Sequence, residues 1–170
     1  MAGKPQMLAA GLAFIAITGC AAKQRLEDLP QPPRGTVNSQ QGNADANSPL
    51  PGSTADFLAR VRSDRVYFAT DRSDIDSESQ SILASQAVWL KRFPNTRITL
   101  EGHCDERGTR DYNIALGARR ANAAKNFLAA EGINPARVTT VSYGKERPEA
   151  LGSDEESWAR NRRAVTVTLQ

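Results

Sequence analysis

The sequence predicts an α/β fold: a two-layer sandwich in βαβαββ order, with a mixed four-stranded sheet and two long helices on one face. Three observations carry that expectation. Four short segments, 65–69, 97–103, 138–142 and 164–169, alternate apolar and polar residues with the period of a half-buried strand. Two longer stretches of helical spacing lie between them. The strand residues sort into one apolar set, Val66/Phe68, Ile98/Leu100 and Val165/Val167/Leu169, with Thr99, Glu101, Thr166 and Thr168 opposite. A sheet that is apolar on one side needs a single covering layer, and about 115 residues suffice for a core of that kind.

Composition limits what such a domain can be. Lys+Arg 22 against Asp+Glu 19 leaves a net charge of +3, too thin a surplus for a nucleic-acid surface. One His rules out a multi-histidine metal centre within the chain, and two Cys rule out a disulfide-dense scaffold. No metal and no cofactor is expected.

The amino terminus has its own signature. Lys4 precedes an apolar run over 7–17, shorter than the about 20 residues a spanning helix needs. A basic start, a short apolar stretch and small residues at its end read as a secretory signal peptide over 1–19. The junction Ile17-Thr18-Gly19-Cys20 resembles a bacterial lipobox, which makes Cys20 the residue that receives lipid. Ala21, rather than Asp, after the cysteine implies an outer-membrane address. Residues 20–55 read as a disordered tether, since 30–54 hold five Pro and three Gly with only Val37 and Leu50 as large apolar residues. Its upper reach is on the order of 120 Å, and its relaxed span about 33 Å. The folded domain is expected over 56–170.

Within it, Asp76 is a plausible N-cap for a first helix carrying Ile82, Leu83, Trp89, Leu90 and Phe93 on one side, and Pro94 stops it. A second helix is expected over 112–131, with Gly132 as its C-terminal signal. A short helix over 154–160 precedes the last strand. On the second helix, Leu116, Ala121, Ala124, Phe127 and Leu128 form the apolar arc, and Arg119, Asn122 and Asn126 the wet face. Arg120 falls inside the apolar arc, where a guanidinium must be paired or must snorkel. Two readings stand: an internal salt bridge to a loop carboxylate, or a fork held ready for a ligand carboxylate.

The loop from His103 to Thr109 joins a strand to this helix, a place that favours small polar ligands. Asp105 could accept an ammonium group there while Arg120 takes a carboxylate, together forming a site for a zwitterionic amino-acid head. Asp71 becomes a third candidate if the first two strands run parallel. Other site chemistries fit badly. His103 and Cys104 are adjacent on a strand and point to opposite faces, which spoils a thiol–imidazole dyad. The acidic run from Asp71 lacks the glycine and the terminal carboxylate of a calcium loop. Asp105 and Glu106 are neighbours, unlike the separated carboxylates of a glycosidase.

The strings Glu101-Gly102-His103-Cys104-Asp105-Glu106-Arg107-Gly108-Thr109, Tyr112-Asn113, Leu116-Gly117, Arg119-Arg120-Ala121, Val141-Ser142-Tyr143-Gly144-Lys145-Glu146 and Asn161-Arg162-Arg163-Ala164-Val165 carry a resemblance. At matching spacings over 64–170 they resemble the OmpA-like C-terminal domain family and, within it, the peptidoglycan-associated lipoproteins (Pal). The resemblance implies non-covalent binding of the diaminopimelate residue of peptidoglycan stem peptides, without catalysis. The family's aspartate falls on Asp105 and its helix arginine on Arg120. Asp71, Leu116 and Arg107 match supporting positions, and Asn161 and Arg162 match a motif flanking the same region. Thr70 stands where the family often has a larger apolar residue, implying a more polar wall, and Cys104 where a small residue is common. The resemblance also implies TolB and the Tol complex as partners in envelope constriction. It thus implies an outer-membrane tether to the cell wall, or alternatively an adaptor whose main ligand is TolB. An OmpA-type barrel has no room in this chain, and a flagellar stator anchor of the same family would need a true membrane span.

Overall fold

The computed structural model describes residues 48–169. The expected leader over 1–19, the expected lipid acceptor Cys20 and most of the expected tether lie outside the described residues. Four helices and four strands follow one another: α1 Thr54–Arg60, β1 Arg65–Tyr67, α2 Ser77–Arg92, β2 Arg97–His103, α3 Arg110–Ala130, β3 Val138–Gly144, α4 Glu155–Asn161 and β4 Arg163–Leu169. The sheet runs β1-β4-β2-β3. β4 is antiparallel to both β1 and β2, and β3 is parallel to β2, so the sheet is mixed as expected. β1 and β2 therefore run in the same direction, and the loops that follow them open at the same end.

Local signals explain most boundaries. Asp76 caps α2 by accepting from Ser79 N at 2.8 Å, and Thr109 caps α3 by accepting from Tyr112 N at 3.3 Å. Gly132 turns the chain out of α3 with a left-handed φ of 88°. α3 begins at Arg110, two residues before the expected start, because its cap is supplied by Thr109.

α1 has no counterpart among the sequence expectations, since it starts at the Pro/Gly-rich border assigned to the tether. Its signal was present as Ser53 three residues before Asp56, a capping pair: Asp56 N donates to Ser53 Oγ at 3.1 Å. Asp56 is then buried beneath the helix, accepting from Trp89 Nε1 at 2.9 Å and Gly52 N at 3.1 Å, and pairing with Arg60. Burial acts to raise the Asp56 pKa, but these donors outweigh it and the carboxyl sits below its ordinary value.

The core joins Phe57 of α1, Leu83, Ala87, Trp89 and Leu90 of α2, Ala121, Ala124 and Leu128 of α3, and Val66, Ile98 and Leu100 of the sheet. One expectation is corrected. On β4 it is Ala164, Thr166 and Thr168 that are buried against the helices, whereas Val165 and Val167 are half-buried and Leu169 is exposed on the other face. Register decides this, because Thr166 lies opposite Leu100 and Thr168 opposite Ile98. The threonine hydroxyls escape the burial penalty by bonding, Thr166 Oγ1 to Gln86 Oε1 at 2.7 Å and Thr168 Oγ1 to Thr54 Oγ1 at 2.7 Å.

α3 lies closer to the sheet than a side chain allows. A Cβ on Gly102 would sit 1.9 Å from Gly117 O, and one on Gly117 would sit 2.3 Å from Ser142 Oγ. This crossing fixes the start of α3, and with it the loop before it, over the end of β2. Gly117→Ala is expected to destabilise the domain by about 2 kcal/mol, read as a lower urea midpoint; an unchanged midpoint would mean that the helix can ride outward freely.

Candidate functional site

The loops after β1 and β2 and the first turn of α3 enclose a cavity of about 230 Å³ lined by Thr70, Asp71, Asp105, Arg107, Gly108 and Tyr112. Asp105 is its buried acid, 6% exposed. Its Oδ1 accepts from Arg107 N at 3.1 Å and Arg107 Nε at 3.2 Å, and its Oδ2 from Arg107 Nη2 at 2.6 Å and Arg162 Nη1 at 3.4 Å. Burial alone would raise the Asp105 pKa; the Arg107 bonds and charge, with Arg162, outweigh it and hold the carboxyl below the usual carboxylate range. The group is therefore an anion at neutral pH.

Asp71 adopts a left-handed φ of 57°, uncommon for a residue with a Cβ, and Tyr112 donates to its Oδ1 at 3.2 Å. Arg107 Nη2 also reaches Thr70 Oγ1 at 3.4 Å, and the Arg107 guanidinium lies 4.2 Å over the Trp158 ring. The 103–109 loop is held from β3's end, where Lys145 Nζ donates to Glu106 O at 3.0 Å and Gly108 O at 2.7 Å. Trp158 Nε1 donates to Glu106 Oε1 at 3.0 Å, which ties α4 to the same loop.

Arg120 lies behind the cavity rather than on its wall, with 0% exposure. Neither sequence reading describes its partners. Its Nε donates to Arg72 O at 2.9 Å, Nη1 to His103 O at 2.8 Å and Cys104 Sγ at 3.4 Å, and Nη2 to Ala69 O at 3.1 Å. The guanidinium thus stitches the 69–72 loop to the end of β2 and rests 5.1 Å over the Phe68 ring. Burial draws its pKa down, opposed by the nearby Asp105 carboxylate.

The other candidates divide. Thr70, Asp71, Asp105 and Arg107 meet in the cavity, and Arg162 lies beneath it, donating to Phe68 O at 3.0 Å and Glu155 Oε1 at 2.7 Å. Leu116 is buried in α3 and does not line the cavity. Asn161 is turned to the 149–150 segment, accepting from Glu149 N at 2.7 Å and Ala150 N at 3.0 Å and donating to Ala150 O at 2.7 Å. Tyr112 and Gly108 were not singled out as site residues, though both stand in the quoted strings. Nothing in the linear sequence marks Lys145 or Trp158 as supports for the 103–109 loop.

Cys104 is buried, its thiol donating to Asn113 O at 3.4 Å. Burial pushes its pKa up, against the charge of Arg120. In a chain carrying Cys20→Ser, Cys104 is expected to resist iodoacetamide until the domain unfolds; rapid labelling of the native protein would contradict this burial. Among the described residues no group of three or more His, Cys, Asp or Glu could hold a metal ion, and no helix is long and apolar enough to cross a membrane.

An anionic floor, a second carboxylate at the rim and a partly exposed guanidinium beside them offer groups that can receive an ammonium and a carboxylate. Comparison with known proteins places the chain in a family. The OmpA family matches residues 67–162. The peptidoglycan-associated lipoprotein of Agrobacterium fabrum is 46% identical over 167 residues, covering 98% of this chain and 89% of that protein. The crystal structure of the peptidoglycan-associated lipoprotein from Burkholderia pseudomallei superposes with a TM-score of 0.63 at 42% identity, covering 67% of this chain and 100% of that one. The C-terminal domain of Helicobacter pylori MotB shares the fold, with a TM-score of 0.59 at 22% identity over 63% of this chain and 84% of that one. The chain belongs to the OmpA family and, within it, to the peptidoglycan-associated lipoproteins.

Proposed function

We propose that the cavity binds the diaminopimelate residue of peptidoglycan stem peptides, while lipid on Cys20 anchors the chain in the outer membrane. The protein then acts as a non-covalent tether within the Tol-Pal system, its domain in the periplasm and TolB its protein partner. The observation that carries this reading is the convergence of Asp105, Asp71 and Arg107 around one small polar cavity. Diaminopimelate ends in an amine and a carboxylate on one carbon. The ammonium would replace Arg107 on Asp105, and the released Arg107 would receive the carboxylate in a two-pronged bond. Arg120 supports the site by fixing the carbonyls of both loops, and Thr70 adds a hydroxyl to the wall.

Calorimetric titration of the chain from residue 20 with a diaminopimelate stem peptide tests this, beside a lysine peptide that lacks the carboxylate. Asp105→Asn is expected to weaken binding by about 2 kcal/mol, roughly 30-fold, and the lysine peptide to bind weakly to either form. Equal binding of both peptides, or an indifferent Asp105→Asn, would remove diaminopimelate and leave TolB as the principal ligand. A ternary complex of domain, stem peptide and TolB would show that the two ligands do not compete.

A further inference from the structure

The two ends of β2 differ in how their charges are paired. The cavity lies at the carboxyl end of that strand, where Asp74, Asp105 and Glu155 are each paired with an arginine, Arg72, Arg107 and Arg162. The tether enters at the other end, roughly 20 Å away along seven residues of β2. There Leu50, Pro51, Gly52 and Ser53 line a cavity with Asn95, Thr96 and Leu169, and Gly52 packs on the Phe93 ring. That end is basic. Lys91 and Arg92 close α2, Arg97 opens β2, and all three are exposed. Arg60, half-exposed, lines a neighbouring groove with Arg92 and the exposed Val88. Among the described residues Arg92 and Arg97 form no ion pair, and Lys91 has only Glu131, at 3.8 Å.

We infer that this basic end is a docking surface for the anionic phospholipid headgroups of the bilayer that holds Cys20, an inference that rests on the anchoring proposed above. Its three exposed cations come from the ends of two elements rather than from the walls of a cleft, which suits a planar array of phosphates. Only residues 20–47 separate the proposed lipid acceptor from the described chain, so the basic end can lie no farther from it than about 100 Å. That covalent limit raises the effective concentration of the basic end at the membrane, and the cavity lies at the other end of β2. Each basic side chain close to an anionic bilayer contributes roughly fivefold in affinity, so the surface orients a tethered domain rather than anchoring a free one.

The test uses residues 20–170 with Cys20→Ser, so that no lipid attaches, sedimented with vesicles of phosphatidylcholine alone or with about one third phosphatidylglycerol. Binding is expected only to the anionic vesicles, to fall with added salt, and to drop at least tenfold when Lys91, Arg92 and Arg97 are replaced by Glu. Arg110→Glu, at the cavity end, should leave it unchanged. No binding to anionic vesicles, or undiminished binding by the triple variant, overturns the inference. Pull-down of the same proteins on isolated cell wall is a separate readout: its loss in every form would sink the tether reading without touching the vesicle result.

Discussion

Arg120→Ala is expected to lose about 3–5 kcal/mol of folding stability, seen as a large fall in the urea midpoint. The side chain is wholly buried and supplies donors to the carbonyls of Ala69, Arg72 and His103. Truncation removes a donor from each of those oxygens, Ala69 O keeping only Arg72 N at 3.2 Å, and opens a cavity beneath the Phe68 ring. Stem-peptide binding should vanish with it, because the 69–72 loop and the end of β2 are no longer held together. Loss of binding in this variant alone would therefore not show that Arg120 touches the ligand. Arg120→Lys separates the two roles: it keeps the charge, but one ammonium cannot span three carbonyls, and an intermediate stability is expected. A stability loss under about 1 kcal/mol for Arg120→Ala would refute the stitching role and return the arginine to the ligand.

Acid should unfold the domain partly through His103. The ring is buried on the open face of the sheet, 5.5 Å from the Tyr143 ring, and neither nitrogen has a hydrogen-bond partner; Glu101 Oε2 is 3.6 Å away. Burial, then the charges of Arg163, Arg147 and Arg65, lower its pKa from 6.5 to about 4, with the Arg147 backbone opposing. Between those values the unfolded chain binds the proton and the folded chain does not, so stability is full above pH 6.5 and declines as pH falls towards 4. The difference amounts to about 3 kcal/mol. His103→Phe removes the buried titrating group, and is expected to keep its stability at pH 7 while flattening the fall between pH 6.5 and 4. An unchanged slope in that variant would mean that the buried carboxylates, not the imidazole, set the acid limit.

The fold was legible wherever a short-range pattern has one physical outcome. Alternation located the strands, and Asp76, Pro94 and Gly132 marked ends that the backbone respects. α1 escaped because seven residues beside a Pro-rich stretch carry almost no periodic signal; only the Ser53–Asp56 pair announced it. The facing of β4 was misread because Val and Thr have nearly the same shape and both suit strands. Which of them turns inward depends on the partners available across the sheet and from α2.

The site divides along the same line. Its acids and Arg107 lie in the loop after β2 or in the corresponding loop after β1, one strand removed in the sheet, so sequence position and a common strand direction were enough to bring them to the same end. By itself the sequence determined the domain class, the cavity's loops and the burial of Arg120, since these follow from periodicity and from residues close along the chain. Only the tertiary structure decided that Arg120 bonds carbonyls 17 to 51 positions away, and that Asn161 clips the 149–150 segment. It also decided that Lys145 and Trp158 brace the 103–109 loop. Those contacts join segments distant in sequence, and a hydrogen bond's partner is chosen by what the packed chain leaves unsatisfied nearby.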